Sequence, residues 1–204
     1  MLKVSSARLR RSALFLGLAL PALVACAPRD DLAEPPVPLG DFVLGHNVAV
    51  TDKIQKVPIS RDATGGEWEV AMEKAIADRF GRYSGSRVYN IGISVDAYAL
   101  APPGVPVVLK PKSALVITAN IWDDAVEKKL NEKGEQITVF EGMSGETLVG
   151  SGLTRTREQQ MEILAYNAAK AVEAWLLKHP EWFSPAPSAS ASAEEKAPGK
   201  TAAE

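Results

Sequence analysis

Residues 89–97 read Tyr-Asn-Ile-Gly-Ile-Ser-Val-Asp-Ala, and they are the strongest indication of how this chain folds. Apolar side chains alternate with glycine or polar ones, which predicts a strand with one buried face. Residues 115–121 repeat the alternation with Leu, Ile, Ala and Ile. We expect a third strand at 136–141, a short first strand at 48–50, and a last strand at 146–153 that its glycines weaken. These strands predict a sheet with one side against a core.

Two further segments have the spacing of amphipathic helices. The first follows the loop 62–66 and carries apolar side chains mostly three or four residues apart over 68–83. The second starts at Thr156, which forms a capping-box pattern with Gln159, and stops before Pro180. Each helix has a single apolar stripe, so both are expected on the same side of the sheet.

The predicted order of elements is β-α-β-β-β-(β)-α. The helix between the first two strands makes them parallel neighbours through a right-handed crossover, whereas the middle strands resemble an antiparallel meander. The sequence therefore predicts an α+β fold, a two-layer sandwich in which a mostly antiparallel sheet carries two helices on one face. We place this domain at residues 41–183.

Composition excludes several classes of function. The chain has 204 residues and a formal net charge of −2, which argues against nucleic-acid binding because that requires a basic patch. A single cysteine excludes an intrachain disulfide and a cysteine-cluster metal site, and two histidines exclude a histidine-rich one.

The first 25 residues have the layout of an export signal. Four basic residues and no acidic residue precede an uncharged run, 12–25, that is rich in Leu and Ala. A positive region followed by an apolar region is typical of a secretory signal peptide. The apolar run is shorter than the roughly 20 residues that span a bilayer, so we interpret residues 1–25 as a cleaved signal rather than an anchor.

This signal ends in Leu23-Val24-Ala25-Cys26, and at this point the sequence resembles a bacterial lipoprotein precursor with a lipobox. The resemblance implies signal cleavage between Ala25 and Cys26 and lipidation of Cys26 by diacylglycerol and further acyl chains such as palmitate. The lipid bilayer would then be a partner, reached through acylated Cys26. In Gram-negative lipoproteins an aspartate directly after the lipidated cysteine signals retention in the inner membrane. Ala27 stands at that position here, so the sequence resembles the outer-membrane class. We expect a membrane-anchored, periplasm-facing protein in the outer rather than the inner membrane.

The segments that flank the predicted domain on both sides have compositions typical of a linker or a disordered tail. Residues 26–40 combine the lipidated cysteine with four prolines and four charges, which is typical of a Pro-rich tether. In residues 184–204, Ala, Ser and Pro occupy 14 of 21 positions, without any aromatic or branched aliphatic side chain. Such a segment has almost nothing to bury, so a disordered tail is predicted.

An element order of this kind after a lipobox is similar to the small periplasmic domains of the curli-secretion lipoprotein and of penicillin-binding-protein activators. Residues 150–155, Gly-Ser-Gly-Leu-Thr-Arg, lead into the last helix and resemble an uncharacterised proteobacterial outer-membrane lipoprotein family. The resemblance implies an envelope setting and a protein partner, and it implies no activity.

A search for catalytic patterns leaves no candidate. The nearest match to a nucleophile elbow is Gly92-Ile93-Ser94-Val95-Asp96, which lacks the second glycine and lies inside a strand. The pair Asp123-Asp124 lacks the spacing of a calcium loop and is interpreted as a solvated turn. The four tryptophans could form a carbohydrate platform, although Trp68 and Trp175 lie on apolar helix stripes. We predict no catalytic residue, no metal site and no cofactor besides the lipid on Cys26.

The candidate partner-binding residues lie in a Pro-rich loop, 101–113, and are Pro102, Pro103, Val105, Val107 and Leu109. A loop stiffened by proline loses little entropy on docking, which suits recognition of a partner. The alternative is that Val107 and Leu109 form an edge strand and pack inward, as apolar residues in a small domain usually do.

The leading functional hypothesis is a non-enzymatic binding or scaffolding lipoprotein of the envelope with a protein partner and no nucleic acid. Two alternatives stay open. One is an enzyme, or an enzyme activator, that acts on cell-wall glycan. The other is an accessory lipoprotein of solute transport.

Overall fold

The computed structural model describes residues 31–103, 113–142 and 155–184. Within these residues it has the α+β architecture that the sequence predicts, an open, mixed six-stranded sheet with two helices. The strands are β1 (Val43–Val50), β2 (Gln55–Lys56), β3 (Val88–Ala99), β4 (Ala114–Asp123), β5 (Lys128–Lys129) and β6 (Glu135–Phe140), and the helices are α1 (Gly65–Phe80) and α2 (Arg157–Leu176).

The sheet is built around β3 and β4. β1 and β2 pair with β3 in parallel, β3 pairs with β4 antiparallel, and β5 and β6 pair with β4 antiparallel. The parallel pairing of β1 with β3 is the one that the crossover through α1 predicts. β2 and β5 were not predicted, because two residues are too few to show a period. The predicted strand at 146–153 lies outside the described residues.

The core lies between the sheet and the helices. On this side of β3 and β4, every second residue is buried: Tyr89, Ile91, Ile93, Val95, Leu115, Ile117, Ala119 and Ile121. They pack against two buried helix stripes, whose members include Trp68, Met72, Ile76, Phe80, Leu164, Ala168, Val172 and Leu176. Fully burying one large aliphatic or aromatic side chain contributes roughly 1.5–3 kcal/mol, so this layer is the main source of stability.

The predicted orientation of one side chain in β3, that of Ala97, is wrong. The alternation predicts Ala97 on the buried side, but the pairing of β3 with β4 shifts register between Val95 and Ala97. The extra residue of this irregularity, Asp96, moves the following side chains to the opposite side of the sheet. Tyr98 is therefore buried in place of Ala97.

Both helices start at a capping box. Thr156 and Gln159 form the predicted one at α2, and Thr64 and Glu67 form a second one at α1. Ion pairs then join the helices near both ends. Arg157 Nη2 lies 2.6 Å from Glu67 Oε1 at the start, and Arg79 Nη1 lies 2.8 Å from Glu173 Oε2 towards the end. The two helices therefore run in the same direction.

Among the described strands, β1 forms one edge of the sheet, and α1 lies along it. The backbone N–H of Ala49 donates to Glu73 Oε1 at 3.2 Å, and Asn47 Nδ2 donates to the Glu73 carbonyl oxygen at 2.7 Å. The Thr51 hydroxyl donates to Glu69 Oε1 at 2.7 Å. One side chain of α1, that of Glu73, thus bonds to the backbone of this edge, and two side-chain hydrogen bonds connect α1 to Asn47 and Thr51.

Candidate functional site

The second part of the predicted tether lies against the domain. We call residues 31–40 the N-terminal strap. It begins with a 3-10 turn, Asp31–Ala33, whose first carboxylate has three partners. Arg79 Nη2 donates to Asp31 Oδ1 at 2.7 Å, Lys170 Nζ lies 2.9 Å from Asp31 Oδ2, and the Tyr166 hydroxyl donates to Oδ1.

The rest of the strap is held by its backbone. Arg82 Nη1 donates to the carbonyl oxygens of Leu32 and Glu34, at 3.1 and 2.8 Å. The Tyr83 hydroxyl lies 2.8 Å from the Val37 carbonyl oxygen, and Leu39 is buried in the core. These contacts extend from the first residue of the strap almost to its last.

The strap ends at a position that requires glycine. Gly40 has a φ of +105°, which side-chain-bearing residues rarely adopt, and a Cβ there would lie 2.8 Å from the carbonyl oxygen of Phe183. The chain therefore turns into β1 against the segment that follows α2.

The charged groups beneath the strap have partners of opposite charge. Arg79 is only 1% exposed and is shared between Asp31 and the buried Glu173. Burial would raise the pKa of the Asp31 carboxyl, but hydrogen bonds from Arg79, Lys170 and Tyr166 outweigh burial and hold that pKa well below its usual range. Asp31 is therefore ionised at neutral pH and attracts both cations.

The strap lies on the outer surface of the helix layer. Tyr166 and Lys170 are one turn apart on α2, and Tyr166 is two residues away from both Leu164 and Ala168 of its buried stripe. At about 100° per residue, a spacing of two places side chains on nearly opposite sides of a helix. Asp31 therefore contacts α2 on the side that points away from the sheet.

The other candidate surface is the side of the sheet that faces away from both helices. We call this side the open face. On β3 and β4 it presents half-buried residues that are mostly polar or small: Asn90, Gly92, Ser94, Asp96, Val116, Thr118, Asn120 and Trp122. The valines of β1 are more exposed, with Val48 at 53% and Val50 at 42%.

Trp122 lies across the open face above Gly92. A Cβ added at Gly92 would lie 2.9 Å from Trp122 Cζ3, so the indole needs a residue without a side chain beneath it. In the pairing of β1 with β3, Val48 lies opposite Gly92 and Val50 lies opposite Ser94. Val48 therefore lies beside Gly92 and the indole lies over it, and we call Val48, Val50, Gly92 and Trp122 the open-face patch.

Polar groups surround this patch. Asp96 accepts hydrogen bonds from the hydroxyls of Ser94, at 2.9 Å, and Thr118, at 2.6 Å. Lys129 Nζ lies 6.0 Å from the centre of the Trp122 ring, within the range of a cation–π contact. An apolar centre inside a polar margin is the usual make-up of a protein-binding surface.

The other tryptophans differ from Trp122. Trp68 and Trp175 are buried on the helix stripes, as their spacing predicts. Trp182 stacks on His179, with ring centres 4.0 Å apart and planes within 6°. The alternation along β4 predicts that Trp122 and Ile121 lie on opposite faces of the sheet. It cannot show which residue lies beneath the indole, because that depends on the register between β3 and β4.

The structure describes only part of the predicted partner-binding loop. Pro102 is half-buried and Pro103 is exposed. At the two ends of the loop the Ala101 N–H donates to the Ser113 hydroxyl at 3.1 Å, and both residues are buried. Val105, Val107 and Leu109 lie outside the described residues, as do Ala25 and Cys26, so their roles stay predictions.

The interpretation of Asp123 as part of a solvated turn is wrong. Its carboxylate is buried, forms an ion pair with Arg87, and accepts the Ala125 N–H at 3.1 Å as the cap of a 3-10 turn. The guanidinium compensates the buried charge, which the sequence spacing does not show. Asp124 is exposed and accepts a hydrogen bond from Asn90 Nδ2 at 3.1 Å.

In residues 31–103, 113–142 and 155–184, no three His, Cys, Asp or Glu side chains are grouped so that they could hold a metal ion. No helix within those same ranges is both long and apolar enough to cross a membrane.

No protein-family model and no curated protein matches the sequence. Solved structures that match over most of their length include a "putative lipoprotein" from Caulobacter crescentus CB15, at 13% identity and a TM-score of 0.38, which covers 66% of this chain and 94% of that one. Protein XCC0632 from Xanthomonas campestris, of the DUF330 family, has 15% identity and a TM-score of 0.40 over 72% and 92% of the two chains. The PelC dodecamer from Paraburkholderia phytofirmans has 12% identity and a TM-score of 0.30 over 65% and 91%.

Proposed function

We propose that this protein is a membrane-anchored lipoprotein of the bacterial envelope that binds another envelope protein through its open face and catalyses no reaction. The lipobox, Leu23 to Cys26, supports the anchor. The observation that carries the binding role is the open-face patch, in which two exposed valines of β1 and the indole of Trp122, which lies over Gly92 of β3, share the side of the sheet away from the helices.

The patch has the properties of a small interface centre. Val48 and Val50 expose about half of their surface on a regular strand, where a β-branched side chain has few rotamers to lose on binding. Tryptophan is among the residues that most often dominate binding energy, and Trp122 is held in place by Gly92 and Lys129 before any partner arrives. Preorganised apolar groups reduce the entropic cost of association.

Site-specific photo-crosslinking in intact cells tests this role. A photoreactive amino acid replaces Val48 in one strain and Val70 in another, since Val70 is 68% exposed on α1 and provides a matched valine on a different surface. We expect an adduct of discrete mass from position 48 and none of that mass from position 70. Adding Trp122→Ala should remove the adduct while the thermal midpoint shows that the domain is folded.

Three outcomes would count against the proposal. Identical adducts from both positions would show that the crosslinks are non-specific, and an adduct that survives Trp122→Ala would exclude the patch. If the wild-type protein sediments with isolated peptidoglycan and the Trp122→Ala variant does not, the ligand is glycan rather than a protein.

A further inference from the structure

We infer that the outer surface of the helix layer faces the membrane that holds Cys26, so that the open face points away from it. The inference rests on the proposed function in one respect, because it requires the lipid on Cys26. It concerns orientation, which neither the lipobox nor the fold specifies by itself.

The position of the strap determines where the chain reaches the domain. Asp31 is bound to Arg79, Tyr166 and Lys170, and the last two project from the side of α2 opposite its buried stripe. Arg82 also holds the backbone that follows Asp31. The chain therefore reaches the domain on the outer side of the helix layer.

The chain between the lipid and the strap is short. Four residues, 27–30, separate Cys26 from Asp31. At about 3.6 Å per residue, five steps allow the two Cα atoms to be at most about 18 Å apart. A tether that was unbound as far as residue 40 would instead reach roughly 50 Å by the same measure. The strap thus removes most of the freedom that the predicted tether would have.

The domain is thicker than this reach. A helix layer of about 10 Å packed on a sheet places the outer helix surface and the open face about 20 Å apart. With the open face on the membrane, the chain would have to pass from Cys26 around the whole domain to Asp31. That path is longer than about 18 Å even before the detour around the edge of the sheet.

The outer helix surface suits a position at the headgroups. On α1 it carries the ion pair between Lys74 and Asp78, one turn apart, and the exposed Val70. Charged groups are expensive to move into hydrocarbon, so this surface stays at the level of the hydrated headgroups. The lipid therefore provides the insertion, and the helix layer lies on the surface.

Energy transfer to a labelled bilayer measures this orientation. The lipidated mature protein is reconstituted into vesicles of phosphatidylethanolamine and phosphatidylglycerol that contain a trace of rhodamine-labelled phosphatidylethanolamine. Because the acylated Cys26 is the only native cysteine, Val70→Cys or Val48→Cys introduces a single free thiol for the same donor dye. We expect transfer from position 70 to be at least about twofold that from position 48, since about 20 Å separates the two surfaces.

Two variants connect that difference to the strap. Inserting a flexible Gly-Ser segment of about twelve residues between Pro28 and Arg29 lengthens the tether without touching the domain, and should abolish the difference. Asp31→Asn weakens the strap itself and should reduce the difference, with circular dichroism as the check on folding.

The outcomes separate the orientation from the anchor. Vesicles that float with bound protein but give equal transfer from both positions, or more from position 48, would overturn the orientation alone. A difference that the inserted segment leaves unchanged would also overturn it, because a contact other than the short tether would then orient the domain. Protein that does not float with the vesicles would overturn the lipid anchor, and the proposed function with it.

Discussion

Arg79 Nη1 donates a 2.8 Å hydrogen bond to Glu173 Oε2, and this buried pair joins the C-terminal halves of the two helices. The same guanidinium uses its other amino group to bind Asp31, so one side chain connects the strap with both helices. A buried arginine needs such partners, because each buried charge that lacks one costs several kcal/mol.

Glu173→Ala should therefore destabilise the domain by about 3–5 kcal/mol, since it leaves the Arg79 charge buried with one partner fewer. The urea midpoint of the soluble domain measures the loss. Glu162→Ala is the matched control, because Glu162 lies on the same helix, α2, and is exposed. Its effect should stay within about 0.5 kcal/mol. Equal, small effects of the two substitutions would contradict the role of the pair.

Glu67 provides a pH-dependent prediction. The Thr64 backbone N–H and then Arg157 donate to its carboxylate, and they lower the pKa of Glu67 from 4.5 to about 2. A lowered pKa means that the charged form is favoured in the folded state. This contribution is complete above pH 4.5 and is lost as the pH falls towards 2.

Glu67→Gln should keep an oxygen that accepts the Thr64 N–H but should lose the charge. The variant should be less stable than the wild type at neutral pH, and the gap should narrow as the pH falls below 4.5. Denaturant unfolding at a series of pH values measures it. A gap that is independent of pH would show that the ion pair with Arg157 contributes nothing.

The loss of stability on replacing a tryptophan should depend on where it lies in the fold. Trp175→Ala should cost about 3–5 kcal/mol, because Trp175 is buried on the α2 stripe. Trp122→Ala should cost clearly less, since Trp122 is half-buried on the open face. Thermal midpoints of the two variants make the comparison. If Trp122→Ala were the more damaging, Trp122 would be a core residue rather than part of a binding surface.

Processing depends on Cys26. Cys26→Ser removes the only thiol and should leave an unlipidated, unprocessed precursor. Metabolic labelling with a fatty acid and the mass of the mature N-terminus are the measurements. A labelled, membrane-bound serine variant would disprove the lipoprotein assignment.

The Pro-rich loop gives a prediction with two distinct results. Replacing Val107 and Leu109 with serine should lower the thermal midpoint, because apolar clusters are seldom left exposed on small monomers. If the midpoint is unchanged and the crosslink to the partner disappears, the loop belongs to the interface. That result would place the binding surface at this end of the sheet.

The local pattern of the sequence is sufficient to predict the long strands and helices. The alternation at 89–97 and 115–121 predicts β3 and β4, and the capping box at Thr156 predicts the start of α2. The bulge near Asp96 could not be predicted in this way, because the register of β4 determines it. The capping box at Thr64 has the same spacing, to Glu67, and is equally legible in the sequence.

The strap and the open-face patch depend on contacts that are distant in sequence. Prolines and charges in residues 26–40 resemble a linker, and only the fold brings Asp31 to Arg79, 48 residues further along the chain. Trp122 likewise differs from the other tryptophans only through Gly92, which the antiparallel register places beneath it. Single-sequence patterns contain no information about either pairing.

Glu73 has a consequence for copies of the protein that share a membrane. Confinement to a plane raises the rate at which tethered molecules meet, and an unpaired strand edge is a template for joining two sheets into one. Here the Ala49 amide, near the end of the outer edge of β1, is already bonded to a carboxylate from α1. A second strand could add there only by displacing that carboxylate, so Glu73 opposes edge-to-edge aggregation where crowding would otherwise promote it.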